Sequence, residues 1–489
     1  KMIALLLFLC IVAYVVLYYQ NVRKYPPGPL PLPLIGNLYH LNSHNLHKTV
    51  DQIGKQYGNC FTLFMPRPVV VLTDHATITE ALVTKGEHFV GRSHLPPDCL
   101  LQKRDQIGVV ISDGAVWREQ RRVSLRILRD CGVGTQQMEA QVNRSIDEML
   151  SQLRATNDGA TPYDMRTALQ LCSGNVINEI LFGYHFSYDE TAKFDHFAGC
   201  VGKHLEDIKN NFHVSIVQAW PWTRHLPVIG SRGCEQLIAN LSEYHGFIEN
   251  EVRQCVESFD PEQAPANFVQ AYLAEMKKNP ELDMDNLNAL AVDFWVAGVD
   301  TTTTTLRWAL LLLMKHVDVQ DRIRAELLSV VGRGRRIEMG DRQHLPYFQA
   351  AIAEIQRVGN LVAFTFSHRC TADNIIAGHL IRKETLVLPQ FFSANIDAAV
   401  YDRPDEFRPE RFLEADGTTF SKTLADHLMV FGVGKRVCLG EGLARMELHL
   451  ILGTLLLNYR FEPTSPIDLE PIYGTALHPK PYKGRVIPI

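Results

Sequence analysis

The chemically most suggestive stretch of the chain runs from Phe431 to Glu447, F-G-V-G-K-R-V-C-L-G-E-G-L-A-R-M-E, and holds one cysteine, Cys438. Gly432 and Gly434 allow a tight loop in which main chain can approach a flat ligand with no Cβ in the way. The apolar run that follows, through Leu448, Leu450, Ile451 and Leu455, has helical spacing and puts Cys438 at a helix start. There the free N–H groups of Leu439, Gly440 and Glu441, with the positive end of the helix dipole, favour a thiolate over a thiol. Such a thiolate is a nucleophile or a metal ligand; a buried structural cysteine is the third reading. A nucleophile needs a base and an orienting partner, and no signature of that kind surrounds Cys438.

Three other clusters carry polar residues at telling positions. Ala297-Gly298-Val299-Asp300-Thr301 is followed by Thr302 to Thr305 inside a long helical segment. Glycine and a β-branched run weaken a helix, and threonine hydroxyls bond carbonyls one turn back, so the pattern predicts a local opening near Gly298–Thr302. Trp117 and Arg121 lie four apart on one helical face, continued by Leu125 and Leu128, while Arg118, Arg122, Arg126 and Arg129 form the other. Glu354 and Arg357 lie three apart on a further helix, a pairing too common to inform alone, and Arg411 follows in F-R-P-E-R-F.

The pattern F-x-x-G-x-R-x-C-x-G, here Phe431, Gly434, Arg436, Cys438 and Gly440, resembles the heme-binding loop of the cytochrome P-450 family. Glu441, Ala444, Arg445 and Glu447 extend the likeness. The resemblance implies that Cys438 is the axial thiolate of a heme b iron. A-G-x-D-T-T resembles the family's oxygen-activating helix, which implies that Asp300 and Thr301 relay protons to dioxygen at the heme, with Ala297 and Gly298 leaving room over the ring. By the same likeness Trp117 and Arg121 reach the propionates, as does His368 in V-A-F-T-F-S-H-R, Val362 to Arg369. Glu354, Arg357 and Arg411 would form a buried network that scaffolds the cysteine loop. Phe294, Ala297, Val362, Phe364, Phe366 and Leu477 would line an apolar pocket for a lipophilic molecule. The chain departs from the family at Ser367, where a proline often precedes the histidine, at Ile381 to Thr385, which lacks the usual Pro and Gly, and at Asn395-Ile396-Asp397, which replaces His-x-Asp.

The elements that must position these residues are mostly helical. Helices are expected near 115–130, 140–155, 163–182, 285–316, 318–331 and 344–358. Cys60 to Met65 and Pro68 to Thr73 read as a hairpin, and strand-like pieces return near 375–390 and 460–489. Met2 to Tyr19 is a run of 18 uncharged residues, near the roughly 20 that span a bilayer. A cleaved signal peptide would have a shorter apolar core and a small-residue cleavage site. Tyr18 and Tyr19, then Arg23 and Lys24, place the rest of the chain on the cytoplasmic side. The prolines from Pro26 to Pro33 act as a semi-rigid spacer. The expected fold is mainly α with small β-sheets, a P-450 fold around a buried heme preceded by one transmembrane helix. Its parts are an anchor (1–24), a proline-rich linker (25–37) and a heme-binding monooxygenase domain (38–489).

Net charge is −5, which gives no reason to expect nucleic acid. Ten cysteines are scattered singly, without C-x-x-C or zinc-type spacing, as reduced thiols facing a cytosol would be. No G-x-G-x-x-G or phosphate loop is present, so nicotinamide is not expected to bind this chain. The resemblance then implies an endoplasmic-reticulum enzyme fed by a separate NADPH-dependent flavoprotein reductase, with a small heme protein as a further electron carrier. Rival functions are a heme-thiolate isomerase or dehydratase, which has no need of Asp300 and Thr301, and a non-catalytic heme sensor.

Overall fold

The computed structural model describes the chain apart from Ser43, Pro96, Pro97 and Thr475, and apart from the side chains of Leu100, Asp207, Lys209, Asn210, Ser231, Gly233 and Cys234. The fold is built around one long helix, Met284–Lys315. The Asp283 side chain caps it by accepting from the Asn286 N–H at 2.7 Å. Its second half, from Leu306 to Met314, is buried on every side, as a helix without a polar face must be. Four helices cover it: Arg166–Phe182, Arg232–Glu257, Pro346–Gly359 and Glu441–Asn458.

The expected opening near Gly298–Thr302 does not occur; the helix runs through unbroken. The hydroxyls of Thr301, Thr303 and Thr305 donate to the carbonyls of Ala297, Val299 and Thr301 at 2.7, 2.7 and 2.9 Å. The threonines thus satisfy themselves on the helix's own carbonyls, and the surrounding helices hold it straight.

The expected helices appear as Gly114–Asp130, Gln136–Thr156, Arg166–Phe182, Met284–Lys315, Val317–Val330 and Pro346–Gly359. Periodicity had not singled out Leu46–Tyr57, Ala192–Asn210, Phe212–Ala219, Arg232–Glu257 or Phe268–Met276. The face of Gly114–Asp130 also differs from expectation. Its buried stripe is Trp117, Gln120, Val123, Ser124 and Ile127, and Leu125 is exposed.

A five-stranded sheet runs in the order Cys60–Met65, Arg67–Leu72, Leu386–Pro389, His368–Arg369, Gly91–Arg92. The first two strands form the expected hairpin, with Met65 opposite Arg67. The last pairing sets Arg92 directly across from His368. The C-terminal region forms two strand pairs, Pro471–Tyr473 with Leu477–Pro479 and Tyr459–Pro463 with Gly484–Pro488.

Met2–Val22 is the one described helix long and apolar enough to cross a membrane, and it buries no residue. The prolines after it do not bridge open space. The Pro27 carbonyl accepts from the Thr62 N–H at 2.8 Å, and Asn37 donates to the Phe64 carbonyl at 2.7 Å. The segment docks on the outer strand of the sheet at two points, Thr62 and Phe64.

Candidate active site

The cysteine loop is closed by the Cys438 N–H, which donates to the Phe431 carbonyl at 2.9 Å. Gly434 is required here: its φ is +76°, and a Cβ would lie 1.9 Å from the Leu82 carbonyl oxygen. The loop therefore packs main chain against main chain. Phe431 is covered by the Arg445 guanidinium, 4.8 Å from its ring centre.

Cys438 carries accessible surface although protein crowds it on most sides. Of the three N–H groups expected, those of Gly440 and Glu441 reach the sulfur. The expectation that they suffice for a thiolate is not met. Burial outweighs them and pushes the thiol up, with the Glu441 carboxylate adding to it and Arg121 opposing. A metal ligated at the sulfur would offset that burial and favour the thiolate.

Around Cys438 stands an unusual concentration of positive charge. Arg436 donates to the carbonyls of Val90, Val109 and Ser112, the shortest at 2.7 Å. Arg92 donates to Val110 at 3.0 Å, and Arg121 to Val437 at 2.8 Å. Among the described residues, all the hydrogen-bond acceptors of these three side chains are main-chain carbonyls. Burial, with Arg92 beside it, pulls Arg436 down to about 8, and burial pulls Arg92 down to about 10. Cations held this way against neutral acceptors call for an anion.

Trp117 supplies a second sign of the same kind. It is buried, and among the described residues its indole N–H has no partner. The guanidinium stacked on its ring belongs to Arg436, at 4.0 Å, whereas that of Arg121, the neighbour four residues on, is 6.0 Å away. His368 is fully buried, with Nδ1 2.6 Å from the Phe89 carbonyl. Burial, Arg92 and Arg436 hold it well below the usual histidine range, so it is neutral.

The long helix contributes a narrow open stripe. Ala297 is exposed and Phe294 and Thr301 half-buried, while Trp295, Val299 and Thr302 between them are buried. Gly298 does not serve the purpose expected of it. A Cβ there would lie 2.4 Å from Ile177 on the neighbouring helix, so its smallness admits that helix. Asp300 is partly exposed and lies 3.6 Å from His478 Nε2. Of the expected pocket residues, Val362 and Phe364 are half-buried and Phe366 is exposed, but Leu477 is 2 % exposed and belongs to the core.

The scaffold behind the loop is the expected network. Arg357 grips Glu354 at 2.7 and 2.9 Å with both side chains wholly buried, and Arg411 adds a bond to Glu354 at 3.0 Å. Asn395, at the position that departs from His-x-Asp, completes the connection. Its carbonyl accepts from Arg357 at 3.2 Å, and its Oδ1 from the Met429 N–H, just before the loop, at 3.0 Å.

Sequence reasoning missed three residues. Arg92 reaches the site only through its ladder pairing with His368. His478 comes from the C-terminal hairpin. Asp293, one turn before Ala297, accepts from Val109 and Val110 at 2.7 and 3.1 Å and fixes the loop whose carbonyls hold Arg92 and Arg436. No local spacing marks any of them.

An accessible cysteine, a rim of arginines hydrogen-bonded to main-chain carbonyls and an indole donor without a partner among the described residues fit a flat metal-bearing cofactor that carries carboxylates. They define a class: helical proteins that hold such a cofactor through one cysteine. The cytochrome P450 family model matches residues 26–486, and the chain belongs to that family. Cytochrome P450 2C3 of Oryctolagus cuniculus is 37% identical over 455 residues, covering 92% of this chain and 90% of the relative. Cytochrome P450 2H2 of Gallus gallus is 33% identical over 497 residues (99% and 98%), and cytochrome P450 2E1 of Sus scrofa 34% identical over 483 (95% and 93%). The family's cofactor is heme with cysteine-thiolate ligation, and its members are monooxygenases, oxidoreductases that incorporate molecular oxygen. They take electrons from a redox partner and bind lipophilic substrates.

Proposed function

We propose that this chain inserts one oxygen atom of dioxygen into a small lipophilic substrate, a fatty acid, a steroid or a foreign compound. Electrons come from a separate NADPH-dependent flavoprotein reductase, with a small heme protein as a second donor. Residues 1–24 anchor it in the endoplasmic-reticulum membrane, 25–37 form the proline-rich connection, and 38–489 are the catalytic body on the cytoplasmic side. The observation that carries this reading is the accessible Cys438 beside Arg92, Arg121, Arg436 and the Trp117 N–H, unpartnered among the described residues.

Heme, when bound, supplies the oxygen-activating chemistry. Cys438 would hold its iron, with the Gly440 and Glu441 N–H groups moderating the sulfur's charge. Phe431, Gly434 and Gly440 shape the loop that presents it. Arg436, Arg92, Trp117 and His368 receive the carboxylates, and Arg121 acts nearer the sulfur through Val437. Ala297 keeps the helix face low where the substrate lies. Thr301, whose proton is engaged with the Ala297 carbonyl, presents a lone pair to a water. Asp300 passes protons toward it from the surface side.

The test compares wild type with Cys438→Ser. Wild type shows the reduced carbonyl spectrum of thiolate ligation and NADPH-, oxygen- and reductase-dependent turnover; the variant loses both. A histidine-type carbonyl spectrum in wild type overturns the reading, and turnover of a peroxide without reductant assigns an isomerase instead. A screen of lipids and drugs for spin-state changes then selects the substrate class.

A further inference from the structure

The helices Ala192–Asn210 and Arg232–Glu257 pack side by side and bring together three side chains with no part in the oxygen chemistry: His196, Cys200 and Glu243. His196 and Cys200 are four apart, so one turn of helix aligns them. His196 Nε2 lies 3.3 Å from Glu243 Oε1 and 3.8 Å from Cys200 Sγ. The three ligand atoms all fall within 4.8 Å of one another. Tetrahedral zinc, with N and O at about 2.0–2.1 Å and S at about 2.3 Å, sets its ligand atoms roughly 3.3–3.6 Å apart. The two measured edges already approach that figure. An imidazole, a thiol and one carboxylate form a borderline-soft set, unlike the all-oxygen shells of calcium and magnesium.

We propose that His196, Cys200 and Glu243 bind a divalent cation of the zinc class, with water as fourth ligand, and so clamp the two helices together. Binding displaces the Cys200 thiol proton to solvent; imidazole, thiolate and carboxylate then balance the two positive charges of the metal. The clamp bears on the long helix. Phe197, next to His196, has its ring 4.0 Å from that of Trp295 and 4.1 Å from that of Phe247, so fixing His196 fixes the aromatic contact two residues before Ala297.

The heme-loaded full chain, stripped of loose metal with a chelator, is dialysed against zinc chloride and its zinc and iron are counted. Wild type is expected to retain one zinc per iron more than Cys200→Ser. His196→Ala and Glu243→Gln are expected to weaken that zinc roughly a hundredfold, the upper end of what losing even an outer partner does. All three positions lie outside the cysteine loop, so an unchanged heme spectrum verifies the fold of each variant. Hydrogen exchange across 192–210 and 232–257 slows with zinc in wild type and not in Cys200→Ser. Equal zinc content and affinity in all four proteins, or a zinc-independent exchange pattern, overturns the proposal.

Discussion

His478 Nε2 stands 3.6 Å from Asp300 Oδ2, while its Nδ1 shares a hydrogen bond with Thr304 at 3.1 Å. A residue of the C-terminal hairpin is thereby fixed by two positions on one face of the long helix. The arrangement orients Asp300 from outside, and the two residues separate experimentally. Asp300→Asn removes the carboxylate proposed to pass protons and is expected to lower turnover about a hundredfold. His478→Leu leaves the carboxylate but frees it, so turnover falls only several-fold while peroxide release per oxygen consumed rises. Product and peroxide measured against oxygen uptake check both; equal losses in the two variants would show that His478 does more than orient.

Trp117 offers a buried donor with nothing to receive it among the described residues. Trp117→Phe keeps an aromatic ring beneath Arg436, a smaller one, and deletes that N–H. A hydrogen bond to a charged acceptor is worth about 1.5–3 kcal/mol, so heme transfer to apomyoglobin is expected to quicken by at least roughly tenfold. Unchanged transfer rates would mean that the indole never meets a carboxylate.

Gly434→Ala places a methyl group against the Leu82 carbonyl at a backbone angle that side chains avoid. The loop then cannot close as it does here. The variant is expected to keep its helical circular dichroism and lose the thiolate-type carbonyl spectrum.

Glu447 gives a pH signature. It is buried, accepts one hydrogen bond from Thr302 at 3.2 Å, and is pushed up to about 8 by burial. A carboxyl raised from an ordinary 4.5 keeps its proton in the fold where the unfolded chain has lost it. Its contribution is therefore complete below about pH 4.5 and disappears as pH rises through 8. The loss across that window is on the order of 5 kcal/mol. Glu447→Gln mimics the protonated form, so thermal midpoints of wild type fall from pH 5 to 8 relative to the variant. Parallel curves would sink the assignment.

Glu354→Ala strands Arg357, which is wholly buried, and leaves Arg411 with main-chain carbonyls only. Losing one member of such a network costs about 3–5 kcal/mol. Little heme-loaded protein is expected, with recovery in Glu354→Gln only partial, as judged by heme-to-protein ratio.

What was legible in the sequence was local. Phe431 to Gly440 forms one stretch of loop, Asp300 and Thr301 are adjacent, and Glu354 and Arg357 share a helix face, so the resemblance carried by the cysteine loop brought all of them into view. Arg92, Asp293 and His478 reach the same place through a strand ladder, a loop–helix bond and a hairpin, none of which leaves a mark in spacing. Gly298 misled because a small residue on a helix serves a ligand or a neighbouring helix equally well, and only packing against Ile177 distinguishes them. The four-arginine face is likewise less cationic than its spelling. Arg122 is paired with Glu119 and Arg126 with Glu275, a partner distant in sequence. The His196, Cys200 and Glu243 cluster leaves no mark in spacing either, since Glu243 joins the other two from another helix.

The proline segment docked on Cys60–Met65 governs how the protein can be shortened. Trimming the chain inside 25–37 would do more than cut a tether: it would bare the Thr62 amide and the Phe64 carbonyl and leave a sticky strand margin open to other copies. A shortened chain is best begun between Val22 and Tyr25, where the apolar helix has ended and the first of these bonds has not yet begun.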